Sequence, residues 1–346
     1  MSTRRPRCFV RPPARLCGCA LLAALVFSTG CGEDESSATA PSGAAAALLQ
    51  YPYTIVTTTG MVTDIVRQVA SDKATVIGLL GEGVDPHLYK PTRADVAKII
   101  NADLIFYSGL MLEGRMSDTF TKAGNRGSKV YPVTQIIDEK YLLEPPDFRG
   151  HWDPHVWMDV SAWSQCVQVV ADALGDFDPS NATTYQANAT VYVAKLDGLH
   201  AYVTKVIASI PEQQRVLITA HDAFNYFSRA YGIRVMGVQG ISTESEAGLD
   251  DINRIVDFIV SDQISAVFVE SSVSDKNVKA LIEGADAQGH AATIGGELFS
   301  DAMGAPRTYE GTYMGMLDHN ATTIARALGG KAPPRGMNGK LSGKSH

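Results

Sequence analysis

Cysteine is scarce in this chain. Of the five in 346 residues, Cys8, Cys17, Cys19 and Cys31 stand near the start, which leaves Cys166 alone in the rest. No internal disulfide can brace that remainder, so its stability must come from a packed core. A content of 45% hydrophobic and 19% charged residues can supply one, and the length suits about two domains. Long apolar runs are also missing, with one exception, "LCGCALLAALVFSTGC", and their absence excludes a polytopic membrane protein. Positive charge is in deficit, with 30 Lys and Arg against 37 Asp and Glu and a net charge of −7. Such a surface argues against nucleic acid as a partner and is compatible with attracting cations.

The exceptional apolar run follows Arg4, Arg5, Arg7, Arg11 and Arg15, with no acid among them, and ends in Ser28-Thr29-Gly30-Cys31. It is short for a spanning helix, and small residues before the last cysteine suggest cleavage there, so residues 1–30 are expected to be an export signal. Small-small-Cys resembles the bacterial lipoprotein box, although Ser28 stands where a leucine is more usual, and it makes Cys31 the expected site of a lipid anchor on the bacterial periplasmic or cell surface. Removing the five arginines from −7 leaves −12 for the exported chain. The next stretch, "GEDESSATAPSGAAAALLQ", is acidic and then rich in Ser, Ala and Gly, as a flexible tether over 31–50 would be.

From Tyr51 short β-rich runs alternate with helical ones. "YTIVTTT", "ATVIGLLG", "DLIFYSG" and "SKVYPVT" read as strands, while Met61, Ile65, Val66 and Val69 recur at helical spacing. Thr92 and Asp95 form a capping box for the helix that follows. A second such series begins at "RVLITAHDAF". Between them lies a stretch of about thirty residues with no proline before Pro211, expected to be one helix spanning on the order of 40 Å. The predicted fold is α/β, with two lobes, each a mainly parallel sheet flanked by helices, joined by one long backbone helix. The expected division is an N-terminal lobe over 51–180, a linker helix over 181–210, a C-terminal lobe over 211–330 and a disordered tail over 331–346.

One tripeptide occurs twice. "VDPHLYKP" and "WDPHVWMDV" place His87 and His155 behind prolines, with Tyr89 and Trp157 two residues later. A proline fixes φ and removes a backbone donor, so it stiffens the chain that presents each ring. Open α/β sheets bind ligands beyond the carboxyl ends of their strands, and that rule selects His87 after "ATVIGLLG" and His221 after "RVLITA". His155 occupies a loop before a helix. A lone histidine beside an aromatic is more often a packing residue than a ligand, but three outside helix interiors point to a site. A carboxylate could come from Asp301 or Glu297, and spacing favours Asp301 only narrowly. His151 and His155 are four apart, as in a zinc hydrolase helix, but Pro154 breaks such a helix and no glutamate adjoins His151.

The stretches "GVDPHLYKPTRADVAKIINADLIFYSGLMLEG", "HWDPHVWMDV", "VLITAHDAFNYFSRAYGI" and "QGISTESEAGLDDINRIVDFIVSDQISAVFVE" with "TIGGELFSDAMG" resemble the periplasmic solute-binding proteins of zinc and manganese ABC importers. That family includes lipoproteins once described as adhesins. The resemblance runs from about residue 51 to 330 and implies two α/β lobes joined by a backbone helix. It implies His87, His155, His221 and Asp301 as metal ligands, two from each lobe, which decides Asp301 over Glu297. It further implies a non-enzymatic, membrane-anchored receptor whose partners are an ABC permease and its ATPase subunit, and the chain is expected to be a monomer. Three neutral imidazoles and one carboxylate carry −1, or +1 with a divalent cation; tetrahedral ligation suits Zn²⁺, and a bidentate Asp301 also admits Mn²⁺ or Fe²⁺. Zinc-specific members often carry a His-rich loop before the second ligand, whereas "IIDEKYLLEPPDFRG" has no histidine. Two rival readings are a secreted zinc hydrolase and a surface adhesin with a structural metal.

Overall fold

A computed structural model describes residues 49–342. The export segment, Cys31, the tether up to residue 48 and residues 343–346 lie outside the described residues. Among the described residues no helix is long and apolar enough to cross a membrane.

The first lobe is laid down as β1 (Tyr53–Thr57), α1 (Gly60–Ala70), β2 (Ala74–Gly78), α2 (Arg93–Ile100), β3 (Leu104–Tyr107), α3 (Ser117–Asn125) and β4 (Lys129–Pro132), followed by α4 (Val160–Phe177). Its four strands pair in the order β2-β1-β3-β4, all parallel. Thr92 caps α2 with the expected reciprocal bonds, its hydroxyl taking the Asp95 N–H while the Asp95 carboxylate takes the Thr92 N–H, which satisfies donors that would otherwise be orphaned.

The chain then runs through α5 (Ala182–Ala208) into the second lobe, β5 (Val216–His221), α6 (Asn225–Tyr231), β6 (Arg234–Gln239), α7 (Leu249–Ser261), β7 (Ala266–Glu270), α8 (Lys276–Ala287), β8 (Thr293–Leu298) and α9 (Tyr313–Ala327). β5 pairs in parallel with β6 and β7 with β8, and β5 lies against β7.

The long helix is embedded in both lobes. Its buried residues Tyr185, Ala189, Tyr192, Leu196, Leu199, Val203 and Val206 follow a four-three repeat, one apolar stripe along the rod. It packs on α4 and α1 in the first lobe and on α9 at the other end. The same continuous core holds Trp157 and Trp163 of the first lobe together with Phe227 and Tyr313 of the second. A rod held by its side chains at both ends restricts how far the lobes can swing.

The tail departs from expectation. Residues 331–342 are packed: both Asp318 oxygens accept the Met337 N–H at 2.9 Å, Glu310 accepts the Ser342 N–H at 2.6 Å, and Leu341 is buried. Aperiodic sequence concealed this because the tail is held by backbone donors on two carboxylates, which needs no hydrophobic repeat.

Candidate metal centre

Four loops or strand ends converge where the lobes face each other. His87 comes from the loop between β2 and α2, His155 from the loop before α4, His221 is the last residue of β5, and Asp301 lies three residues beyond β8. All four are buried, His155 and His221 with no exposure. One donor atom from each lies within 4.8 Å of all the others. Among the described residues no second group of three or more His, Cys, Asp or Glu converges in this way.

The separations have chemical meaning. The Nε2 atoms of His87 and His155 are 3.3 Å apart. Asp301 Oδ1 is 3.3 Å from His155 Nε2, and its Oδ2 is 3.3 Å from His221 Nε2 and 3.7 Å from His87 Nε2. A tetrahedron with metal–ligand bonds of about 2.0–2.1 Å has edges of roughly 3.4 Å. Moreover, among the described residues, His221 Nε2 and both Asp301 oxygens are buried without a hydrogen-bond partner. Buried polar atoms are ordinarily paired, and leaving a carboxylate unpaired is costly. The donor set fits a cation at its centre.

Two carboxylates that the sequence reading passed over orient the rings. Asp153 Oδ1, fully buried, accepts the backbone N–H of His155 at 3.0 Å and stands 2.7 Å from its Nδ1. Glu270, at the end of β7, accepts the His221 N–H at 2.8 Å through Oε1 and faces Nδ1 at 2.6 Å through Oε2. An ionised carboxylate only accepts, so each Nδ1 donates and each Nε2 is turned inward as the free donor to a metal. Trp157 packs against His155 at 5.1 Å between ring centroids and donates its Nε1–H to the Ser300 carbonyl at 2.9 Å, which ties the second histidine's loop to the residue preceding Asp301. The signal for Asp153 was present in the repeated Asp-Pro-His; Glu270 could be found only once β5 and β7 were neighbours.

Electrostatics separates the three imidazoles. Burial pushes His87 down to about 3, against the smaller upward pull of Asp301. Burial also opposes charge on His155, but Asp153 and Asp301 together raise it to about 9. His221 is raised well above its ordinary value, burial being outweighed by Glu270 and Asp301. For Asp301, burial is outweighed by His221 and His155, and its carboxyl falls well below the usual range. Protons and a divalent cation therefore compete for the Nε2 atoms of His155 and His221.

The remaining candidates stay apart. Glu297 lies in β8 and lines a different cavity of 560 Å³ with His319 and Arg326. His151 is exposed, its ring 5.2 Å from Phe148, and it shares no helix with His155. His200 contacts Tyr231, and His290 the Ile264 carbonyl; His346 lies outside the described residues.

Two α/β lobes on a shared helix, with three imidazoles and a carboxylate converging between them, define a class of two-lobed metal-binding proteins. A family model described as zinc-uptake complex component A, periplasmic, matches residues 55–327, and the chain belongs to that family. It is 42% identical over 312 residues to the manganese-binding lipoprotein MntA of Bacillus subtilis, covering 89% of this chain and 98% of that protein. It is 47% identical over 277 residues to the zinc-binding protein TroA of Treponema pallidum, covering 79% and 88%. The solved structure of periplasmic TroA from Treponema pallidum matches with a TM-score of 0.77 at 46% identity, covering 81% of this chain and 99% of that one.

Proposed function

We propose that this chain captures Zn²⁺ or Mn²⁺ between its lobes and hands it to a membrane permease driven by an ATPase, with His87, His155, His221 and Asp301 as the ligands. The observation that carries the reading is the convergence of three Nε2 atoms on a buried carboxylate whose oxygens have no other partner among the described residues. The bound metal is cargo and undergoes no reaction. A hydrolytic metal would need a protein ligand exchanged for water and a nearby base, and His151, the residue a hydrolase helix would have required, stands exposed away from the cluster. The similarity to metal-binding lipoproteins supports an exported chain, and in this reading Cys31 carries the lipid, residues 31–50 form the tether, and the chain acts as a monomer.

Nitrogen and oxygen donors generally bind Zn²⁺ more tightly than Mn²⁺, so cargo follows from geometry and supply and not from affinity order alone. Elemental analysis of the protein from its own host, with competition against a chelator for both metals, tests the reading. One equivalent of Zn²⁺ or Mn²⁺, lost in an Asp301→Ala variant, is expected; a chain that binds neither would overturn it.

A further inference from the structure

His87 is held differently from the other ligands. Carboxylates clamp the Nδ1 atoms of His155 and His221, whereas among the described residues the His87 ring makes its hydrogen-bond-range contact only with His155 Nε2. It is also the most accessible of the four at 7% exposure, against 0–1% for the rest. Its placement comes from the backbone, where Asp85 Oδ1 accepts the His87 N–H at 2.8 Å.

The other oxygen of Asp85 reaches across the cleft. Asp85 Oδ2 accepts the hydroxyl of Thr243, a buried residue of the second lobe. Thr243 is itself placed: Gln239, the last residue of β6, donates its side-chain amide to the Thr243 carbonyl at 3.0 Å and to the Ser245 carbonyl at 2.6 Å. A continuous chain of bonds thus runs from the end of β6 through Thr243 and Asp85 to the His87 backbone. Beside it, Arg115 donates to Glu244 at 2.7 and 2.9 Å and to the Leu88 carbonyl at 3.5 Å, so a second, more exposed contact joins the same two loops.

We infer that Thr243 is a positioning residue for His87, acting through Asp85, and that it sets the rate at which metal leaves. The inference rests on the metal-capture reading. Separation of the lobes breaks the Thr243–Asp85 bond first at the side where the ligand is least anchored, and His87 is freed while His155, His221 and Asp301 keep their supports. Both contacts involve a charged group, but Thr243 is buried whereas the Arg115–Glu244 pair is exposed to water and screened by salt, which places the control in Thr243.

The test is stopped-flow release of Zn²⁺ and Mn²⁺ from the loaded full chain into excess chelator. Thr243→Val keeps shape but removes the hydroxyl and is expected to speed release about tenfold or more, with association unchanged. Thr243→Ser should release at nearly the wild-type rate, and Gln239→Leu should speed release in the same direction as Thr243→Val. In a His87→Ala background Thr243→Val should add nothing, because its effect passes through that ring. Release from Thr243→Val at the wild-type rate, or a full effect persisting without His87, would overturn the inference. If the unmodified chain binds neither metal, the capture reading fails instead, before any variant is compared.

Discussion

The two copies of Asp-Pro-His share their residues but not their environments. In the second, Asp153 is fully buried and one of its oxygens serves both the backbone N–H and the ring of His155, while Asn225 of the second lobe donates to the other at 3.1 Å. In the first, Asp85 is partly exposed, its Oδ1 accepts the backbone N–H groups of His87 and Leu88 without reaching the His87 ring, and its second oxygen turns to Thr243. The result is one imidazole raised to about 9 and another lowered to about 3. A motif therefore fixes where a ring is presented, and the neighbours of its first residue decide how tightly the ring is held and whether it carries a proton.

The largest break in that comparison is expected from removing the rings themselves. His155→Ala should weaken metal binding roughly a thousandfold or more, and His87→Ala by only about 10–100-fold, since an unclamped ring loses part of its interaction to ordering; chelator competition on both variants measures the difference. Equal losses would mean that the unlike supports have no energetic consequence. One step out, Asp153→Asn should cost about 10–100-fold in affinity, the usual range for a carboxylate behind a ligating histidine, while Asp85→Asn should cost less than about tenfold because an amide oxygen can still accept the His87 N–H.

Proton release sharpens the same contrast. Because His155, raised to about 9, and His221, raised well above its ordinary value, must lose their protons to coordinate, binding strengthens as pH rises and weakens as it falls. His87, lowered to about 3, is already neutral at pH 7 and contributes no proton. Calorimetry in buffers of different ionisation enthalpy should count about two protons released per metal at pH 7, with apparent affinity falling about a hundredfold for each unit of acidification. A count near three would place His87 with the other two. The smallest effect is expected at the rim: Glu244→Ala removes an exposed ion pair with Arg115, and its influence should stay within about 1 kcal/mol and shrink with added salt.

Most of the architecture was legible because it is written in periodicity. The α5 stripe repeats at three and four, and the strands of the first lobe are short β-rich runs between helical ones. His87, His155 and His221 were legible as chain positions, strand ends and proline-stiffened loops, and the family resemblance chose Asp301 where spacing left Glu297 open. Glu270 and Thr243 were not legible, because their roles depend on which strands become neighbours and which loops meet across the cleft, and neither leaves a repeat in the sequence. The packed tail was hidden for a related reason: Asp318 and Glu310 hold it by its backbone, whose donors every sequence has.

X-ray absorption spectroscopy of the zinc-loaded chain tests the central claim most directly. Three imidazole nitrogens and a carboxylate at about 2.0–2.1 Å are expected, with one nitrogen lost in each of the His87→Ala, His155→Ala and His221→Ala variants. A metal surrounded by water oxygens, or a shell unchanged in those variants, would contradict it.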